Sequence, residues 1–298
     1  MSSAGGASAV RGERSAAQRS LLAWFRTTGP IYPWRERERD PYAVLVSEVM
    51  LQQTQASRVV EAFPLFMERF PDVGSIAEAS RGDVLRTWGG LGYPRRAASL
   101  HEAARRIVRD HDGSVPTDVS ALLELPGIGP YTAAAVASIA YGSPVAAIDT
   151  NVRKVMARLE LAAEPDEVPD TDVVEAASRW LAREAPGDWN QAVMNLGREV
   201  CRPTPRCDAC PLAGACAFRA SGRIGRRSGR RQPAFAGSMR QARGGVLREL
   251  RGRDRAATIG TIAAALDLPV TRVDQAVDAL ERDGLVRRTV SGRVGLPL

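Results

Sequence analysis

The chain has 298 residues, 44% of them hydrophobic and 5% aromatic, and 41 basic against 34 acidic residues give a net charge of +7. This is enough for one large domain or two smaller ones with a real core. No apolar run reaches the length of about 18 residues that suggests a membrane span, so no membrane partner is expected. The positive charge is uneven: residues 219–255 hold twelve Arg against Glu249 and Asp254, residues 256–298 hold five of each sign, and residues 1–218 hold 24 basic and 27 acidic residues. A basic stretch of this kind suits contact with phosphate and equally a solvated linker written in Arg. Lys154 is the one lysine.

In chain order, residues 1–18 are small, polar and Arg-containing, lack the apolar stretch of a secretory signal, and are expected to be a disordered tail. Residues 19–27 suit a short amphipathic helix, followed by a turn with Pro30, Pro33 and Trp34. Helices are expected over 41–60 (opened by Pro41), 62–69, 75–79, 81–88 and 95–110, with Pro and Gly at the junctions. Strand patterns are scarce, so the fold class is mostly α.

Residues 118–141 hold two helical patterns joined by Pro126-Gly127-Ile128-Gly129-Pro130. Glycines permit the tight turn, and the start of the second helix offers free N–H groups suited to phosphate. An ordinary helix–turn–helix corner would look the same. Residues 219–237 read as an Arg/Gly/Pro linker. Residues 238–298 read as a winged-helix-like unit, with helices over 239–252, 258–266 and 271–283 and a hairpin over 285–296 around Ser291-Gly292. Protein–protein packing is an alternative role for that unit.

All four cysteines, Cys201, Cys207, Cys210 and Cys216, fall within sixteen residues with C-x5-C-x2-C-x5-C spacing. A disulfide framework would spread wider, so the cluster points to a reducing, cytoplasmic setting and to either zinc or an iron–sulfur cluster. Such a site would clamp the loop carrying Arg202 and Arg206 near DNA. Two carboxylates stand out. Glu48 lies in the apolar stretch VLVSEVML and could be a buried acid paired with an arginine such as Arg35. Asp149 precedes the helical pattern TNVRKVMARL, where an acid is a good N-cap.

SEVMLQQTQ (47–55), GLGYPRRAASLHEAA (90–104), LPGIGPYTAAAVASIAYG (125–142), AIDTNVRKVMARL (147–159) and the four cysteines occur in this order. Together they resemble the adenine DNA glycosylases of the endonuclease III-like, helix–hairpin–helix superfamily (the MutY type), over about residues 19–218. The resemblance implies two helical lobes with duplex DNA held across the cleft, a monomeric and nucleoid-associated bacterial enzyme, and a [4Fe–4S] cluster on the four cysteines, zinc being the minor alternative. It implies base excision repair: removal of adenine mispaired with 8-oxoguanine or guanine after the adenine is flipped from the stack, at a cost of a few kcal/mol.

Glu48 then falls on the glutamate that protonates the leaving adenine and directs water. A proton donor must be partly protonated near neutral pH, which burial among Val, Leu and Met favours. Asp149 falls on the aspartate that stabilises the positive sugar; opposite charges about 4 Å apart at an effective dielectric near 20 interact by roughly 4 kcal/mol, about three powers of ten in rate. Tyr131 occupies the position where strand-cutting relatives carry a Schiff-base lysine, so a monofunctional enzyme without lyase activity is implied. Gln52 falls on the residue wedged into the base stack and Tyr93 on the aromatic near the orphan purine. Thr54 and Leu91 are further candidates there. Trp34, Arg35 and Asn151 match positions around the adenine pocket, and Gly127 and Gly129 the DNA-binding hairpin.

The sequence departs from the family in three places. Five residues separate Cys201 from Cys207 where six are usual. Asn195 stands where an acid is common. The remaining 80 or so residues read as winged-helix-like and not as the usual Nudix-like domain. A thymine or uracil mismatch glycosylase of the same superfamily, in which tyrosine also occurs at the Tyr131 position, is the alternative. A non-catalytic iron–sulfur DNA-binding regulator is a third reading.

Overall fold

The computed structural model describes residues 3–36, 40–226 and 234–298. Its helices in chain order are α1 (Ser3–Thr28), α2 (Pro33–Glu36), α3 (Pro41–Leu51), α4 (Ala56–Arg69), α5 (Val73–Glu78), α6 (Arg81–Trp88), α7 (Arg95–Asp110), α8 (Val119–Leu123), α9 (Pro130–Tyr141), α10 (Thr150–Leu159), α11 (Asp170–Trp180), α12 (Pro186–Glu199), α13 (Ala217–Ala220), α14 (Met239–Arg251), α15 (Ile259–Leu266) and α16 (Val270–Arg282). One two-stranded antiparallel ribbon, β1 (Arg287–Arg288) on β2 (Val294–Gly295), follows. The fold class is mostly α, as expected from the scarcity of strand patterns.

The chain forms two compact units, residues 1–44, 117–123 and 128–230 in the first and 45–116, 124–127 and 231–298 in the second. The first is built on α1, α10, α11 and α12, whose buried side chains include Leu21, Met156, Val173, Trp180, Trp189 and Leu196. Cys201, Cys210 and Cys216 pack on the edge of this core. In the second unit Phe66 meets Phe70 at 5.1 Å and Trp88 edge-on at 6.1 Å, the spacing that aromatic quadrupoles favour.

Two expectations are corrected. Residues 3–18, read as a disordered tail, belong to α1. The segment is Ala-rich, and Gln18 Nε2 donates to the Trp180 carbonyl at 2.9 Å while the Arg14 guanidinium lies over the Trp180 ring; helix propensity and tertiary contact act together. Met1 and Ser2 lie outside the described residues. The single helix expected over 41–60 is two helices, because Gln53 adopts a left-handed φ of 54° and Gln55 is extended. Residues 227–233 of the expected linker also lie outside the described residues.

Residues 238–298, the C-terminal module, contain α14, α15, α16 and the β1–β2 ribbon. Ser238 and Thr258 cap α14 and α15 by accepting from Gln241 N and Thr261 N. Ala257 bridges to Val294, adding a third short extended segment. This module sits in the second unit, where Gly82 N donates to the Pro297 carbonyl at 2.9 Å. A Cβ on Gly82 would lie 2.4 Å from that carbonyl oxygen, so the close approach requires glycine.

The basic segment is partly neutralised within the protein. Arg219 pairs with Asp208, Arg223 with Glu167, Arg226 with Asp166, Arg243 with Asp283 and Arg253 with Glu249. Among the described residues, no helix is long and apolar enough to cross a membrane.

Candidate active site

Every residue of α3 from Tyr42 to Met50 is buried. A helix apolar all round has no solvated face, so Glu48 is carried into the interior, at 6% exposure. Arg35, considered as its partner, donates to the Pro30 carbonyl at 2.8 Å and lies over the rings of Phe25 and Tyr32. Tyr32 in turn stacks on Trp34, with ring centroids 4.5 Å apart. Trp34 and Arg35 are thus brought together in the first unit, whereas Glu48 belongs to the second.

Asp149 does serve as an N-cap, and both its oxygens are engaged. Oδ1 accepts from Asn151 N at 2.8 Å and Val152 N at 2.7 Å, and Oδ2 accepts from Asn151 Nδ2 at 2.8 Å. These bonds fix a carboxylate at the positive end of the α10 dipole. The segment leading into it is held by Asn190, whose Oδ1 accepts from Ala147 N at 3.1 Å and whose Nδ2 donates to Ser138 Oγ and the Val145 carbonyl. Sequence reading did not single out Asn190; a polar residue in the apolar stretch of α12 was the available signal.

Tyr131, in the first turn of α9, donates to Met194 Sδ at 3.5 Å. Gly129 offers no side chain to cap α9, and Pro130 stands at its first position, which leaves the first-turn N–H groups suited to an anion. Gly127 has φ +78°, and a Cβ there would stand 2.6 Å from that of Ser99. Gln52 makes a long 3.5 Å contact to the Gly127 carbonyl. Lys154 lies within α10, where burial lowers its pKa from the ordinary lysine value.

Thr54, Leu91 and Tyr93 come together around Arg96, a residue that sequence reading missed. Its Nη1 donates to the Val49 and Met50 carbonyls, both at 2.8 Å, and its Nη2 to Thr54 Oγ1 at 2.8 Å. The guanidinium lies 5.4 Å from the Tyr93 ring centroid and 5.2 Å from that of Trp88. Burial pushes it down to about 10, so it stays charged at neutral pH. Tyr93 itself is exposed and adopts a left-handed φ of 45°, an arrangement that costs a non-glycine residue on the order of 1 kcal/mol.

Asn195, which stands where the family commonly has an acid, is buried at 2% exposure and accepts from Arg198 through Oδ1. Arg198 also lies over the Tyr32 ring.

The four cysteines form no disulfide and line one cavity with Val200, Pro205, Ala213 and Phe218. Arg158 Nη1 is 3.6 Å from Cys201 Sγ and donates to the Arg202 carbonyl at 2.6 Å. Arg158 is fixed by Glu164 at 2.8 Å, both side chains being 2% exposed. Burial raises the Cys201 thiol and pushes Cys210 up to about 11.

Residues 46–183 match the family described as HhH-GPD superfamily base excision DNA repair protein. An adenine DNA glycosylase of Mycobacterium tuberculosis is 42% identical over 292 residues, 97% of this chain and 96% of that protein. One from Mycolicibacterium smegmatis is 43% identical over 93% of this chain and 94% of its own length. The human adenine DNA glycosylase is 39% identical over 70% of this chain and 40% of its own length. Among solved structures, a thermostable thymine-DNA glycosylase superposes with TM-score 0.65 at 27% identity, covering 72% of this chain and 99% of that one. An endonuclease III–DNA complex superposes with TM-score 0.58 at 21% identity, over 70% of this chain and 97% of that one, a likeness of fold. With near-full-length likeness and the hairpin and Asp149 cap in place, this chain belongs to the adenine DNA glycosylases of the HhH-GPD superfamily of base excision DNA repair proteins.

Proposed function

We propose that the chain hydrolyses the N-glycosidic bond of adenine mispaired with 8-oxoguanine or guanine in duplex DNA and leaves an abasic site with the strand intact. The observation that carries this reading is Glu48, a carboxyl inside an otherwise apolar helix and within the adenine-type motif SEVMLQQTQ. Glu48 protonates the departing adenine and orients water. Asp149, its carboxylate held by three donors, stabilises the positive charge that develops on the sugar. Gln52 fills the gap left by the flipped base, and Tyr93 with Thr54 and Leu91 meets the opposing purine. Trp34, Arg35 and Asn151 border the adenine pocket, and the turn at Gly127 and Gly129 seats a phosphate on the start of α9.

Tyr131 supplies no amine, so no Schiff base forms at that position. Borohydride in the reaction should therefore trap no enzyme–DNA adduct, while hot alkali should cleave the product strand at the former adenine. Release of free adenine by the wild type, and its loss in Glu48→Gln, tests the assignment of the proton donor.

Cys201, Cys207, Cys210 and Cys216 would hold a [4Fe–4S] cluster, whose contribution is to fix the loop bearing Arg202 and Arg206. The four cysteines line one shared cavity, zinc is the minor alternative, and visible absorption of the purified protein distinguishes the two. Likeness to a thymine-DNA glycosylase at 27% identity favours thymine or uracil removal as the second reading. The longer, closer likeness to adenine enzymes favours the first.

A further inference from the structure

The short loop Gly89–Tyr93 has all five of its carbonyls occupied. Arg251 donates to Gly89 O, Arg58 to Gly90 O and Thr54 Oγ1 to Leu91 O at 3.4 Å. Gly92 O accepts from Trp88 Nε1 at 3.1 Å and Arg96 Nη2 at 3.2 Å, and Tyr93 O from Arg96 N at 2.9 Å. Three of the five residues, Gly89, Gly92 and Tyr93, have positive φ. For the non-glycine Tyr93 this conformation persists only where its surroundings over-determine it. Arg251 is the one donor that comes from the C-terminal module.

One face of the module's last helix is acidic. That helix, α16, is the element a winged helix would lay in the major groove. Asp274, Asp278 and Glu281 stand on one face of that helix, and Arg288 of β1 reaches all three. A row of carboxylates repels phosphate. Meanwhile Pro297 binds Gly82, and Asp283 lies 3.8 Å from Arg95, so the module is also anchored at the start of α6, which leads into the loop, and at Arg95 just after it.

We infer that Arg251 is a positioning residue: the C-terminal module braces the Gly89–Tyr93 loop and thereby sets how strongly the enzyme distinguishes 8-oxoguanine from guanine opposite adenine. The brace follows from the contacts above, and its effect on discrimination rests on the proposed reading of Leu91 and Tyr93. Loss of one charged hydrogen bond to a carbonyl corresponds to about a tenfold change in the loop's equilibrium.

The test uses the full-length protein and Arg251→Met. Amide hydrogen exchange of peptides spanning 89–93 should rise about tenfold in the DNA-free variant. Binding to a duplex with an uncleavable 2′-fluoro adenosine opposite 8-oxoguanine should weaken about tenfold relative to the same duplex with guanine. The single-turnover rate at saturating enzyme and the melting temperature should stay near wild type, and Arg251→Lys should restore most of the preference. Unchanged exchange in the loop would overturn the brace. Equal weakening on both duplexes, or a loss that merely follows a fall in melting temperature, would overturn its role in discrimination. If the wild type released no adenine from any duplex, the functional reading would fail, while the exchange experiment would still decide the brace.

Discussion

Gly197 of α12 presses against Asn151 at the start of α10: a Cβ there would stand 2.7 Å from the Asn151 Cβ and 2.9 Å from its carbonyl oxygen. Asn151 is also the residue that gives Asp149 two of its three hydrogen bonds. The absence of a side chain at Gly197 therefore fixes where the Asp149 carboxylate stands. Gly197→Ala should cost about 1–3 kcal/mol by overpacking and should slow adenine release at saturating enzyme by about tenfold or more, since small misplacements of a catalytic group are expensive. Urea titration and single-turnover kinetics measure the two effects separately.

Asp149 has two roles that different substitutions separate. Asn is as good a cap as Asp, so Asp149→Asn should keep stability within about 0.5 kcal/mol while lowering the rate by about three powers of ten through loss of the charge. Asp149→Ala should lose the charge and also about 1 kcal/mol of cap. Comparable stability for Asn and Ala variants in urea would contradict the capping role.

Much of this site was legible in the sequence, and what escaped has a common cause. Asp149 was readable as a cap because capping is local, and Gly127 because a turn needs glycine. The break between α3 and α4 was not, because the last carbonyls of α3 are satisfied by Arg96, far along the chain. Local periodicity carries no trace of such a long-range cap. The basic segment was legible as charge, but its pairing with Glu167, Asp166 and Asp283 was set by the fold. Helices α11 and α12 were not anticipated, and with them Asn190 and Gly197 were missed.

Arg158 and Glu164 form a buried pair that holds the cysteine loop, with Glu164 also accepting from Arg226 N at 3.1 Å. Removing one partner leaves an uncompensated charge, so Glu164→Gln should cost about 3–5 kcal/mol. The folded fraction should retain its rate on saturated duplex. Parallel thermal melting and active-site titration would check this.

His101 is buried at 3% exposure, with Nε2 2.9 Å from the Ala79 carbonyl. Burial lowers its pKa from the ordinary value of 6.5. The unfolded chain therefore takes up the proton first. The stabilisation is fully present above pH 6.5 and is lost as pH falls from there through the folded value. Urea midpoints should drop across that window in the wild type and fall less steeply in His101→Asn, even if that variant is less stable at every pH.

The most direct test is a panel of duplexes carrying adenine, thymine or uracil opposite each normal base and 8-oxoguanine, incubated with excess enzyme and then treated with alkali. The account predicts cleavage at adenine opposite 8-oxoguanine and guanine, abolished by Glu48→Gln. Intact adenine after prolonged incubation, or release of thymine or uracil in its place, would contradict it.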